Sequence, residues 1–171
     1  MQYVEAPTRV RRYAQPAIFL AGGISNCSDW QSRMREMLEP RVKVPATLFN
    51  PRRARYPTDP SAVRQQIEWE FAHLWRAQIV TFWFSRATLC PITLYELGSH
   101  LTRLKLLRAN DRRRPRICIG VERGYQRAQD VAIQRSLLAP EVPIVGSIRR
   151  LAEFVVREAT DFNQRHTARS A

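Results

Sequence analysis

Short apolar segments alternate with amphipathic segments along most of the chain. Apolar or β-branched runs bounded by turn residues predict buried strands, and apolar residues recurring every three or four positions predict helices. The predicted strands are Ala17–Ala21, Val42–Phe49, Ile79–Phe84, Arg116–Val121 and Val142–Val145. The predicted helices are Trp30–Leu38, Ser61–Gln78, one that opens at Pro91, Gln129–Leu138 and Ile148–Phe162.

Two of these helices have an apolar stripe, which we expect to pack against a sheet. The stripe of the helix over Ser61–Gln78 is Ile67, Phe71, Leu74 and Trp75. The stripe of the helix that opens at Pro91 is Leu94, Leu97, Leu101 and Leu104.

The alternation of five strands with five helices indicates an α/β fold, a parallel sheet with helices on both faces. Right-handed crossovers then favour one flavodoxin-like, doubly wound domain with five parallel strands. We expect this domain over residues 17–162, after an irregular basic N-terminal arm at 1–16 and before a frayed tail at 163–171. A length of 171 residues agrees with a single domain.

The net charge of +13 is the unusual feature of the composition. It suggests an acidic partner such as nucleic acid, anionic lipid or a phosphorylated substrate. Lysine occurs only at Lys43 and Lys105, so almost all the positive charge is arginine. That skew has a second explanation, a GC-rich coding sequence that raises arginine content without any function for the charge.

The cysteines Cys27, Cys90 and Cys118 are too widely spaced for a zinc site or a thioredoxin-type motif. We therefore expect no metal and no cofactor, and a reducing, cytoplasmic setting. No apolar run approaches the roughly 20 residues that cross a bilayer, so no membrane association is expected.

Ligands of doubly wound sheets bind at the carboxyl ends of the strands. Four predicted loops lie there: Gly22–Asp29, Asn50–Arg53, Ser85–Thr93 and Val121–Tyr125. Gly22 and Gly23 would allow a ligand to approach the backbone closely. Asn50 and Arg52 are polar, and Arg52 could bind a phosphate with two hydrogen bonds, although a solvated arginine explains it equally well.

Glu96 lies near the start of the helix that opens at Pro91. At 100° per residue, Thr93 and His100 project within about 60° of it. The free amides of the first turn could also receive an anion or a hydroxyl. This face therefore gathers groups suited to catalysis, although a solvent-facing glutamate on an amphipathic helix has the same pattern.

The preceding helix adds a second carboxylate, because Glu70 flanks its apolar stripe and Glu68 lies on the opposite flank. Two carboxylates near a sugar suit glycosidic chemistry, in which one is the nucleophile and the other handles protons or hydroxyls. Either glutamate could instead be a charge at the rim of the helix. At the end of the strand before Glu96, Trp83 or Phe84 could stack on a base.

Six segments in this order resemble the nucleoside 2-deoxyribosyltransferase-like family. They are Phe19–Ile24, Asp29–Gln31, Asn50–Arg53, Gln66–Glu70, Phe82–Phe84 and Pro91–Gly98. The resemblance extends over about residues 17–146. It implies a flavodoxin-like fold, a homo-oligomer, and cleavage of the N-glycosidic bond of a nucleoside or nucleotide substrate.

The resemblance also implies roles for individual residues. Glu96, in the intact Glu-Leu-Gly motif, would be the nucleophile that forms a glycosyl-enzyme, and Glu70 would be the acidic residue of the preceding helix. The substrate-binding candidates are Gly22, Gly23, Asp29, Asn50, Arg52, Phe84, Cys90, Thr93 and Gly98.

Cys90 departs from the family pattern, which has an aspartate that contacts the base six residues before the nucleophile. A thiol cannot replace that carboxylate, so base recognition must differ or be absent. Two other functions therefore stay open, a non-catalytic nucleotide-binding or sensing module and a nucleic-acid-binding protein that uses the basic surface. The sequence leaves the base, the sugar, the phosphorylation state and the choice between transfer and hydrolysis undetermined.

Overall fold

The computed structural model describes residues 1–54, 58–109, 111 and 113–167. The strands are β1 (Gln2–Glu5), β2 (Ala17–Gly22), β3 (Thr47–Asn50), β4 (Ile79–Phe84), β5 (Arg116–Val121) and β6 (Ile144–Val145). The helices are α1 (Trp30–Leu38), α2 (Pro60–Arg76), α3 (Pro91–Leu106), α4 (Ala128–Leu138) and α5 (Ile148–Thr167).

The strands form one all-parallel sheet in the order β1-β3-β2-β4-β5-β6. The order without β1 is the flavodoxin-like one, so the predicted α/β fold is confirmed. One apolar core packs α2, α3 and α4 against the sheet, and the other packs α1 and α5 against its opposite face. The strand order reverses between β2 and β4, which places the ligand crevice of such sheets at their carboxyl ends.

The sheet has six strands rather than the expected five, because β1 comes from the segment that we expected to be irregular. β1 pairs with β3 along its whole length, with Val4 opposite Phe49. Only Val4 of this strand is buried, so the sequence shows no apolar run there. β1 forms because its backbone groups hydrogen-bond with those of β3. Backbone hydrogen bonds do not depend on side chains, so they produce no hydrophobic pattern in the sequence.

The apolar stripe predicted for α2 is wrong in part. Leu74 is buried, but Ile67, Phe71 and Trp75 are exposed. The sheet-facing side of α2 instead presents Trp69 and His73, and their stacked rings have centroids 4.1 Å apart. Apolar and aromatic residues occupy two sides of α2, and periodicity alone could not show which side meets the sheet.

The ends of the predicted elements differ most from the structure at β3 and α5. β3 begins only after Pro45, because proline lacks the amide hydrogen that a central strand donates. α5 continues to Thr167, so the first part of the expected frayed tail is helical, whereas residues 168–171 lie outside the described residues. In the described part of the chain, no helix has the length and apolarity to cross a membrane.

Candidate active site

A cleft of about 270 Å³ opens at the carboxyl edge of the sheet, between the loops that follow β2 and β4. This volume is just below the range of about 300–1,000 Å³ that is typical of drug-sized ligands, so the cleft suits a compact ligand. The structure brings six predicted site residues to its wall: Gly22, Gly23, Glu70, Cys90, Thr93 and Glu96. Its other lining residues are Phe19, Ala21, Ile24, Ser25, Pro51, Thr88, Pro91 and Ile92.

The floor of the cleft is backbone, because glycine occupies the last position of β2 and the position after it. A Cβ atom on Gly22 would lie 2.5 Å from Cζ2 of Trp30 and 2.7 Å from the carbonyl oxygen of Trp83. The carbonyl oxygen of Gly23 accepts a 3.0 Å hydrogen bond from Nε1 of Trp30. The indole of Trp30 therefore fixes this turn and leaves no space for a side chain at Gly22.

We expect Gly22→Ala to lower the free energy of unfolding by about 2–3 kcal/mol, since the new methyl group overlaps both the Trp30 ring and backbone. Gly98→Ala is the matched control. Gly98 lies inside α3 with open space where its Cβ would be, so alanine should raise stability by about 0.5–1 kcal/mol. Urea unfolding of both variants checks the pair, and equal stability of the two would contradict the packing described for Gly22.

Glu96 projects from the first turns of α3 into the cleft. Burial, and to a smaller extent the negative charge of Glu70, raises the pKa of its carboxyl group to about 8. The side chain of Thr93, one turn earlier, is buried at the same wall. His100 does not line the cleft, because its ring packs against Phe82 and Trp75 while its Nδ1 lies 3.0 Å from the carbonyl oxygen of Glu96.

Glu70 faces the same cleft from α2 and is held by Gln66. Nε2 of Gln66 donates 2.7 Å hydrogen bonds both to Oε1 of Glu70 and to the carbonyl oxygen of Pro51. Burial raises the pKa of Glu70, while this hydrogen bond and the charge of Arg53 act in the opposite direction. The two carboxyl groups thus share a poorly solvated site, an arrangement that favours retention of a proton by one of them.

Cys90 is buried at the amino end of α3 and adopts a left-handed backbone conformation, with φ of +49°. Its Sγ lies 3.0 Å from the position of a Cβ on Gly23, so the thiol fills the space beside the glycine turn. Burial raises the pKa of the Cys90 thiol, which keeps it neutral. The family that the sequence resembles has an aspartate at the position of Cys90. In this cleft, the residue there is therefore a small neutral group instead of a carboxylate.

Arg52, Asn50 and Asp29 do not line the cleft and instead connect its supporting loops. Nε of Arg52 donates to Oε1 of Gln31 at 3.0 Å, and its Nη2 donates to the carbonyl oxygen of Ser28 at 3.0 Å. The side chain of Asn50 accepts from the backbone amide of Arg52 at 2.9 Å. Asp29 accepts from the amide of Ser32 and so caps α1.

Two further predicted binding residues also lie away from the cleft wall. Phe84 is fully buried, and its ring packs against that of Tyr125 with centroids 5.3 Å apart. Gly98 lies in the interior of α3 and does not line the cleft. The fourth predicted loop supports the loop before α3, because Glu122 accepts hydrogen bonds from Oγ of Ser85 and the amide of Arg86.

The sequence reasoning missed the roles of Gln66 and Arg53. Gln66 and Glu70 are four residues apart on one helix, the spacing at which side chains meet, and this signal could have identified Gln66. Arg53 is close enough to Glu70 to lower its pKa, and its buried Nε has no hydrogen-bond partner among the described residues. No local pattern distinguishes Arg53 from Arg52, because only the fold determines which of the two approaches Glu70.

Comparison with known families supports the resemblance noted from the sequence. The family model described as nucleoside 2-deoxyribosyltransferase like matches residues 15–107, which extend from the start of β2 through α3. The match covers more than half of the chain and includes both cleft glutamates. The chain belongs to this family of nucleoside 2-deoxyribosyltransferase-like proteins. A comparison with curated proteins finds no significant match.

Proposed function

We propose that the protein cleaves the N-glycosidic bond of a nucleoside or nucleotide, with a 2′-deoxy sugar, through a covalent intermediate on Glu96. The observation that carries this proposal is the pair of glutamates, Glu96 and Glu70, at one compact cleft. Glycosidic bonds are broken by paired carboxyl groups of this kind, in which one attacks the sugar and the other handles protons.

In the proposed first step, the Glu96 carboxylate attacks the anomeric carbon and forms an ester with the sugar. The bond from the anomeric carbon to the base nitrogen breaks, and its electron pair leaves with the base. Glu70, oriented by Gln66, is the partner that binds a sugar hydroxyl or exchanges a proton. In the second step, water or a second base attacks the ester and releases Glu96.

Base recognition is proposed to differ from that of relatives with an aspartate at the position of Cys90. A buried neutral thiol provides only a weak donor and acceptor, so it cannot hold a base as a carboxylate does. This difference favours simple release of the base by water, because transfer requires an acceptor base to be held in place. The protein would then be a hydrolase, with transfer as the alternative outcome.

Arg53 is the arginine that we propose binds a phosphate on the substrate. Arg52 is already engaged by Gln31 and by the carbonyl oxygen of Ser28. Arg53, close enough to Glu70 to lower its pKa, makes one exposed hydrogen bond from Nη2 to Oε1 of Gln65 at 3.2 Å, and its buried Nε has no partner in the described ranges. A nucleoside 5′-monophosphate would bring its own negative charge to this guanidinium.

The test is chromatography of products from a panel of nucleosides, 2′-deoxynucleosides and their 5′-monophosphates, with and without an acceptor base. We expect free base from 2′-deoxynucleotides, and a preference for the monophosphate that Arg53→Ala removes. A swapped base would identify a transferase. Binding of the panel without turnover of any member would contradict the proposal and favour a non-catalytic nucleotide-binding module.

We also propose that the protein is a homo-oligomer, formed through an apolar surface beside the cleft. This surface comprises Ile67, Phe71 and Trp75 of α2 with Ile92 and Tyr95 of α3, all exposed. Contiguous exposed apolar patches of this kind are rare on monomers and often mark protein–protein interfaces. A second copy of this chain is the occupant we propose, because Ile92 also lines the cleft and the surface is continuous with the site.

Size-exclusion chromatography with light scattering tests this oligomer. We expect a dimer or larger assembly for the wild-type protein and a monomer for Phe71→Glu, since burying a glutamate at the interface would cost several kcal/mol. Leu137→Glu is the control, because Leu137 is equally exposed but lies on α4, outside this surface. A wild-type monomer, or dissociation by both variants alike, would contradict the proposed interface.

A reducing compartment such as the cytoplasm is proposed as the location. All three cysteines are free thiols, and two of them are buried. Oxidising compartments favour disulfides, whereas reducing ones keep thiols free.

A further inference from the structure

The positive charge of the protein is concentrated at the amino edge of the sheet, opposite the cleft. Basic residues occupy the connections that enter the strands and the last turns of the helices that precede them. The fifteen in this group are Arg9, Arg11, Arg12, Arg35, Arg41, Lys43, Arg76, Arg103, Lys105, Arg108, Arg113, Arg114, Arg116, Arg135 and Arg165. Six described acidic residues accompany them: Glu36, Glu39, Glu68, Asp111, Glu141 and Glu158.

This distribution is not what arginine-rich coding alone would produce, because such a bias would place arginine on every exposed surface. In the rest of the described chain, ten arginines accompany nine acidic residues, with ion pairs such as those of Arg52 with Asp29 and of Arg127 with Asp130. Helix dipoles favour basic residues in the last turns of helices. They do not account for Arg9 and Arg11, which precede β2 outside any helix.

A hollow of about 590 Å³ lies within this basic edge, between the segment after β1 and the end of α2. Arg9, Arg11 and Arg76 line it, and all three are exposed. Its single acidic lining residue, Glu68, forms an ion pair with Arg64 at 2.8 Å. Within the described residues, no carboxylate forms an ion pair with any of the three arginines.

Hydrogen bonding and ring stacking hold the wall of the hollow in place, although the arginines on it are exposed. Nε1 of Trp69 donates a 2.8 Å hydrogen bond to the carbonyl oxygen of Thr8, which ties the segment before Arg9 to α2. The ring of His73 stacks on that of Trp69. Burial lowers the pKa of His73, against the hydrogen bond to the carbonyl oxygen of Trp69, and the charge of Arg76 also lowers it.

We propose that this edge binds nucleic acid, with Arg9, Arg11 and Arg76 receiving consecutive backbone phosphates in the hollow. Guanidinium groups bind phosphate oxygens through paired hydrogen bonds. A polyanion that extends along the edge would also contact many of the remaining basic residues. The contacts are to phosphate, so binding is independent of base sequence. The hollow is distinct from the cleft, because the two have no lining residue in common.

Fluorescence anisotropy tests this proposal with a short labelled single-stranded DNA oligonucleotide, and with the corresponding duplex, between about 50 and 200 mM salt. The test variant replaces Arg9, Arg11 and Arg76 by alanine together. The matched control replaces Arg33, Arg149 and Arg150, three exposed arginines of α1 and α5 that lie outside this edge. Both variants lose the same net charge.

For the single strand, we expect the hollow variant to bind on the order of 100-fold more weakly at about 0.1 M salt, with a salt slope smaller by about two. The control should lose less than about fivefold. Equal losses in both variants, or no binding by the wild-type protein at about 50 mM salt, would overturn the proposal. So would binding to anionic phosphatidylserine vesicles without binding to nucleic acid.

Two further measurements separate this site from the cleft. Glu96→Gln should bind the oligonucleotide with wild-type affinity, whereas the hollow variant should release base at the wild-type rate. Loss of oligonucleotide binding in Glu96→Gln would overturn the assignment to the hollow. Absence of base release from any protein, together with intact oligonucleotide binding, would instead contradict only the function proposed for the cleft.

Discussion

Glu96→Gln is expected to reduce the rate of base release by on the order of 10⁴-fold or more, because an amide cannot form the glycosyl ester. The fold should persist, since glutamine has the shape of a carboxyl group that burial already favours in its neutral form. Single-turnover assays, with circular dichroism as the test of folding, measure both effects.

Glu68→Gln is the matched control for this prediction. Glu68 lies on α2 two residues from Glu70, but it is exposed and ion-paired with Arg64. It should keep wild-type activity, whereas Glu70→Gln should lose about 10²–10⁴-fold, the range for a group that handles protons. A Glu96→Gln protein as active as Glu68→Gln would rule out Glu96 as the nucleophile.

The pH dependence of kcat/KM should rise steeply through neutral pH, which is unusual for a carboxylate nucleophile. Burial and the neighbouring charge of Glu70 together raise the pKa of Glu96 to about 8. The reactive form is the ionised one, so activity appears as pH rises through that pKa. We expect an increase of about tenfold per pH unit below about pH 7, and a plateau above about pH 9.

Glu70→Gln provides the internal test of this assignment. Removing the neighbouring negative charge lowers the pKa of Glu96, so the midpoint of the profile should move to lower pH even though the maximal rate falls. A profile that decreases above pH 8 would show instead that Glu96 acts as a proton donor. An unchanged midpoint in Glu70→Gln would contradict the electrostatic coupling of the two carboxyl groups.

The sequence predicted the main elements because their signals are local. β4, β5 and α1 have the predicted ends, and the leucine stripe of α3 packs inward as expected. The sequence did not reveal β1, whose pairing with β3 depends on backbone groups rather than on an apolar run. It also assigned the wrong side of α2 to the core, because Trp69 and His73 fill the space beside Phe49 in place of Phe71.

The candidate site was predictable to the extent that topology determines it. The strand-end rule placed Gly22, Cys90 and Glu96 at one edge of the sheet, and the structure brings them to one cleft. The rule could not show that the guanidinium of Arg52 forms hydrogen bonds with Gln31 of α1 and with the loop before this helix. That result depends on side-chain directions in three dimensions, which a sequence pattern does not contain.

The most direct test of the proposed mechanism is the anomeric configuration of the first product. With methanol as the acceptor, nuclear magnetic resonance distinguishes the two methyl glycosides, which do not interconvert as the anomers of the free sugar do. A covalent intermediate on Glu96 requires two displacements, so the account predicts that the configuration of the substrate is retained. An inverted or mixed product would contradict a glycosyl-enzyme on Glu96.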